Sequence, residues 1–100
     1  MTTVTKLVRV VNKKGLHARA SNKFAKLVNT FQSEVRVSHQ GETANGESIM
    51  DLLMLVAHKG CRIEIEATGP DAKETLSALT ALVENGFGEL EADRSGKGLV

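Results

Sequence analysis

The chain is predicted to fold as a single α+β domain of two layers, a sheet with helices packed on one of its faces. Three observations predict this. Short β-branched or alternating runs are interleaved with longer segments of helical period, in the order β-α-β-β-α-β-α. The strands are apolar on one side only and the helices on one stripe only, so each layer must cover the other. One hundred residues, 41% hydrophobic and 25% charged, make one soluble domain with one modest core. The domain is expected over residues 1–90, followed by a polar tail over 91–100 that has no apolar period to bury and is expected to be disordered.

Each element has a local cause. Leu7-Val8-Arg9-Val10-Val11 is β-branched and bounded by Asn12-Lys13-Lys14-Gly15, a strand entering a loop. Ala20, Phe24, Leu27, Val28 and Phe31 then recur at helical spacing, with Asn22, Lys23, Lys26 and Asn29 between them, an amphipathic helix with a basic outer face. Glu34 to Ser38 alternates with period two, and His39-Gln40-Gly41 turns the chain into a short polar edge strand, Glu42 to Asn45. Ser48-Ile49-Met50-Asp51 reads as a capping box opening a helix that runs to about Ala57. Arg62 to Ala67 alternates again, with Ile63 and Ile65 inward. Gly69-Pro70 turns, Asp71 caps a helix carrying Ala72, Leu76, Leu79 and Val83 on one face, and Gly86 stops it.

Bulk properties narrow the function. A net charge of +1 argues against broad attraction to nucleic acid or anionic membrane. Cys61 is the only cysteine, so no internal disulfide forms, and a reducing cytoplasmic setting fits. The N-terminal apolar run is broken by Arg9 and is too short for a signal or a membrane span. No phosphate-binding P-loop is present, so the chain is not expected to use ATP. His58 and Cys61 offer two metal ligands with no further cysteine to complete a site, so no metal or other cofactor is expected. His39 and His58 read as surface residues.

Gly15-Leu16-His17-Ala18-Arg19 lies between the first strand and the first helix. A histidine there stands at a helix N-terminus, where amide N–H groups lack partners and carry partial positive charge, an anion-binding end. Arg19 adds a planar fork of donors. An imidazole beside such a cradle suggests a histidine that carries a phosphoryl group. Taken alone, a histidine near an arginine more often caps the helix or is merely solvated. Ser48 is explained as an N-cap. Ile49, Met50 and Leu53 are at core-like spacing, yet Ile49 to Val56 is apolar at nearly every position, more than a short helix can bury.

These residues also carry a family resemblance. Gly15 to Arg19 resembles the active-site motif of HPr, the histidine-containing phosphocarrier of the phosphoenolpyruvate-dependent phosphotransferase system. Glu47-Ser48-Ile49-Met50 resembles the family's regulatory-serine region. Leu52-Leu53-Met54-Leu55, Lys59-Gly60 and Ile63 to Gly69 resemble the family segment C-terminal to that serine, and the resemblance spans roughly residues 4–89. It implies an open-faced antiparallel sandwich, strand order 1-4-2-3, with three helices on one face. It implies phosphorylation of His17 at Nδ1 by enzyme I and transfer to an enzyme IIA domain. Arg19 and the N–H groups of Ala18 and Arg19 would hold the phosphoryl oxygens. It implies regulatory phosphorylation of Ser48 by HPr kinase/phosphorylase. Partner docking would fall on Ile49, Met50 and Leu53, ringed by Arg19, Lys23 and Lys26. The protein would be a monomeric carrier, not an independent catalyst. The stretch from Leu52 to Pro70 is more similar to the nitrogen-branch carriers than to those of sugar uptake. The family usually has proline after the arginine, where this chain has Ala20. Alanine is a good helix former, so the helix is expected to persist.

Two other classes compete. The element order also suits an RNA-recognition module, but such modules stack bases on sheet aromatics. This chain has three Phe and no Tyr or Trp, and Phe24 and Phe31 fall on helical core positions. The other is an allosteric regulator whose His17 is read by a target without phosphoryl transfer.

Overall fold

The computed structural model describes residues 2–90; the tail expected over 91–100 lies outside the described residues. The elements are β1 (Thr2–Arg9), α1 (Ala18–Val28), β2 (Glu34–His39), β3 (Glu42–Asn45), α2 (Ile49–Met54), β4 (Arg62–Gly69), α3 (Ala72–Glu84) and a 3-10 turn at Gly86–Gly88. The sheet order is β1-β4-β2-β3, and every pairing is antiparallel. This is the α+β sandwich expected.

Period-two burial builds the sheet. Val8, Val35, Val37, Ala44, Ile63, Ile65 and Ala67 are buried on the inner face. The outer face carries rows such as Thr5, Glu66, Arg36 and Asn45, aligned across all four strands. Its polarity leaves no aromatic platform there for stacking bases.

The boundaries differ from the expected ones for local reasons. β1 starts at Thr2, not Leu7, because it pairs with β4 along its whole length, from Thr2 opposite Gly69 to Arg9 opposite Arg62. Leu7 points outward and is exposed. α1 ends at Val28, three residues before Phe31, where the N–H groups of Thr30 and Phe31 reach back to Leu27 and Val28. Such three-residue bonds tighten a helix end. α2 stops at Met54 rather than Ala57 in the same way. Leu55 N–H donates to Leu52 and Val56 N–H to Leu53, and Val56 takes a positive φ of 50°.

The core lies between the inner sheet face and the helices, with Phe24, Leu52, Leu79, Val83 and Phe87 fully buried. Phe31, expected in the core, is only half-buried. Phe87 supplies the second buried ring, from the 3-10 turn, at a φ of 56°. His39 is a further correction. It is buried, not on the surface, and its Nδ1–H donates to Leu55 O at 3.0 Å, tying the end of β2 to the end of α2.

Asp71 sits at the N-cap of α3 but makes no side-chain cap bond. Its carboxylate instead accepts from Ser33 Oγ, Gln32 N–H and Thr75 Oγ. It therefore fastens the α1–β2 loop to α3. These donors, Ser33 first, hold the Asp71 carboxyl below the usual aspartate range.

Candidate functional site

The site is assembled where the loop after β1 runs alongside the loop before β4. Val10 N–H donates to Cys61 O at 2.8 Å, and Gly60 N–H donates to Val10 O at 2.7 Å. Leu16 N–H donates to Ala57 O at 2.9 Å. Gly15 makes this approach possible. Its φ is +64°, and a Cβ there would stand 2.3 Å from Ala57 O, so any side chain would push the two loops apart. The motif's glycine thus sets where the chain enters α1.

His17 is the N-cap of α1, with extended backbone at φ −81° and ψ −176° and no side-chain cap bond. Its carbonyl accepts from Ser21 N–H at 2.8 Å. The N–H groups of Ala18, Arg19 and Ala20 belong to the first turn and have no acceptor within the helix. Ala20 is fully buried, and the helix starts regularly without proline. Arg19 is exposed. The helix end is therefore open, with a guanidinium free to swing over it.

The imidazole is held from its far edge. Nε2 lies 2.6 Å from Glu89 Oε2, with the two side chains 25% and 13% exposed. Glu89 Oε1 accepts from Asn12 Nδ2 at 3.0 Å, and the same Nδ2 donates to Gly15 O at 2.8 Å. His17 Nδ1 has no hydrogen bond among the described residues. An imidazole in this setting can present Nδ1 as a nucleophile to a tetrahedral anion. The developing charge would meet N–H groups and a cation.

Asn12 and Glu89 were not among the site residues expected from sequence. Glu89 lies in a stretch without period, and only the glycines at 86 and 88 hint that the chain turns sharply there. Lys23, expected to rim a docking face, is exposed and donates from Nζ to Phe87 O at 2.7 Å. It acts as a strut beneath the 3-10 turn. Lys26 is exposed and, with Leu27, Thr30 and Leu82, lines a shallow groove between α1 and α3.

Ser48 is the N-cap of α2, as expected, and its Oγ accepts from Asp51 N–H at 3.1 Å. The capping box is only half made. The Asp51 carboxylate reaches Asn45 N–H at 3.2 Å, not Ser48. Next to this cap stands an apolar patch: Ile49, Met50, Met54 and Val56 are exposed, Met54 by 74% and Met50 by 71%. Leu53, expected in the patch, is half-buried, and Leu52 and Leu55 are core. Met54 and Val56, at and just past the end of α2, extend the patch.

Known proteins share this fold and motif. The family model described as the PTS HPr component phosphorylation site matches residues 4–85. The chain is 50% identical over 84 residues to the phosphocarrier protein HPr of Neisseria meningitidis, covering 84% of this chain and 94% of that one. It is 43% identical over 88 residues to the phosphocarrier protein NPr of Escherichia coli, covering 87% and 98%. The crystal structure of HPr from Bacillus anthracis superposes with a TM-score of 0.79 at 37% identity, covering 83% of this chain and 99% of that one. Fold, motif and relatives place the chain among the phosphocarrier proteins of the phosphotransferase system. It belongs to the HPr family.

Proposed function

We propose that this chain carries a phosphoryl group on His17, taken from enzyme I and passed to an enzyme IIA domain. The observation that carries the reading is the open N-terminus of α1. His17 holds the N-cap position without using its side chain to cap, and the first-turn N–H groups beside it have no acceptor within the helix. Arg19 and the N–H groups of Ala18 and Arg19 would share the phosphoryl oxygens in a loose transition state, where positioning and charge supply most of the rate. The phosphoimidazole then passes the group on, and the protein is a covalent intermediate between two enzymes rather than a catalyst with a turnover of its own. The carrier domain is residues 1–90.

Partners would dock on Ile49, Met50, Met54 and Val56 beside the α1 end, an exposed apolar patch of the kind that marks an interaction surface. Lys26 and Arg19 offer cations to an acidic rim. Ser48 stands at the margin of this patch, so phosphorylation by HPr kinase/phosphorylase would place a dianion where a partner must exclude water. Relatives named HPr and NPr align at 50% and 43% identity, and the acceptor is proposed at the level of an enzyme IIA domain, in sugar uptake or nitrogen-related regulation.

Incubation with enzyme I and phosphoenolpyruvate, then mass spectrometry of acid-labile phosphate, tests the reading. Label is expected on His17 alone and absent from His17→Ala. Label on His39 or His58, or undiminished label in the variant, would overturn it.

A further inference from the structure

Glu89 meets His17 across 72 positions of sequence, with Nε2 and Oε2 2.6 Å apart. A carboxylate offers only acceptors, so this contact requires the hydrogen of the neutral ring to sit on Nε2. The lone pair is then on Nδ1, which faces no partner among the described residues.

The carboxylate itself is held in place. Asn12 is fully buried, and its Nδ2 serves two acceptors, Gly15 O and Glu89 Oε1. Turning the amide over would set Asn12 Oδ1 against both acceptors, so its donor role is fixed. The backbone before Glu89 is pinned as well. Phe87 is fully buried, Lys23 Nζ donates to its carbonyl, and Glu89 N–H donates to Gly86 O at 2.9 Å.

We infer that Glu89 is a positioning residue that fixes the tautomer and orientation of His17, with Asn12 as its anchor, and so selects Nδ1 as the phosphoryl acceptor. The inference rests on the carrier reading above. In the transfer step, the Nδ1 lone pair forms the bond to phosphorus as the donor's bond to phosphorus breaks. That bond's electron pair leaves with the donor protein. The Nε2 hydrogen stays on the ring, and the positive charge the ring acquires lies against the Glu89 carboxylate. On transfer to the acceptor, the Nδ1–P bond breaks and its pair returns to Nδ1.

The device makes an unusual demand of one substitution. In Glu89→Gln, Asn12 still donates to the side-chain oxygen. The new amide NH2 is then turned to His17 and donates to Nε2, forcing the hydrogen onto Nδ1. Exchanging a carboxylate for an amide behind a histidine imposes the wrong tautomer in just this manner. Glu89→Ala leaves the ring free, with both tautomers available. The near-isosteric change is therefore expected to be worse than the truncation.

Ring 15N NMR on the histidine-labelled full chain, at about pH 9, where an ordinary imidazole is neutral, reads the tautomer directly. Phosphate uptake from enzyme I is measured alongside, with circular dichroism to check folding. The parent should carry its hydrogen on Nε2, Glu89→Gln on Nδ1, and Glu89→Ala a mixture. Uptake should slow roughly tenfold or more in Glu89→Gln and by less in Glu89→Ala. A parental tautomer in Glu89→Gln, or slower uptake by Glu89→Ala than by Glu89→Gln, would overturn the inference. If the tautomers change as expected but the parent takes up no phosphate, the Glu89 device stands and the carrier reading alone fails.

Discussion

Gly15→Ala tests how the site is fastened to the fold. Gly15 has φ +64°, and holding an L-residue in the left-handed region costs about 1–2 kcal/mol. The added Cβ would also stand 2.3 Å from Ala57 O and 3.0 Å from His58 Cα. Both are backbone atoms, so no side chain can swing away. The Ala57 carbonyl must move, and it is the acceptor for Leu16 N–H. Leaving a buried bond of that kind unmade costs about 1–3 kcal/mol. The sum is about 2–5 kcal/mol. For a domain of this size each kcal/mol lowers Tm by about 4–8 °C, so a fall of at least about 8 °C is expected in a calorimetric scan. Gly41→Ala is the control. Its φ is +84°, yet a Cβ there meets nothing within 4 Å, so only the backbone cost of about 1–2 kcal/mol applies. The gap between the two variants isolates the loop contact. Equal Tm values for Gly15→Ala and Gly41→Ala would refute the claim that close approach to Ala57 sets the entry into α1.

Arg19→Lys should slow phosphoryl transfer by roughly tenfold or more, about 1.4 kcal/mol, with Tm unchanged in a thermal scan, because an ammonium cannot clamp two oxygens as a guanidinium does. Ser48→Ala should lose about 0.5–2 kcal/mol in denaturant titration through the missing cap. Ser48→Asp should retain that stability, since aspartate caps and suits the helix dipole, yet bind enzyme I more weakly by calorimetry, because its charge must be desolvated beside Ile49 and Met50. Asp71 has a carboxyl lowered below its ordinary value by Ser33 and Gln32. Its contribution to stability is therefore present above about pH 4, the unfolded aspartate value, and is lost as pH falls through the lowered folded value. In denaturant titrations at several pH values, Asp71→Asn should be less stable than the parent at neutral pH, and the gap should close in acid.

Local chemistry made much of the fold legible. The two strands with clean alternation, 34–39 and 62–69, kept nearly their expected bounds, because each buries one face against helices and wets the other. β1 was read too short. Its outward threonines and exposed Leu7 blur the alternation, and only pairing with β4 carries it back to Thr2. Helix starts were marked more clearly than helix ends. Ser48 caps α2 with its own hydroxyl, whereas the ends of α1 and α2 depend on how the next turn packs. Asp71 shows the limit of a cap signal, since donors from the α1–β2 loop capture its carboxylate.

The candidate site divides along the same line. The sequence by itself determined the order of elements and the placing of His17 at the N-terminal end of α1 with Arg19 in its first turn, because the motif is contiguous and local backbone geometry fixes which N–H groups stay unpaired. Tertiary structure decided which edge of the imidazole is held. Glu89 comes from a stretch without pattern, and it reaches His17 only because Phe87 is buried and Lys23 pins its carbonyl. It likewise tied Lys23 to the Phe87 carbonyl, put His39 inside, and exposed Met54 and Val56 beside a half-buried Leu53. The physical reason is the same each time. Periodicity and caps act within a few residues, whereas the partner of a polar side chain is whichever group the packed core brings within reach.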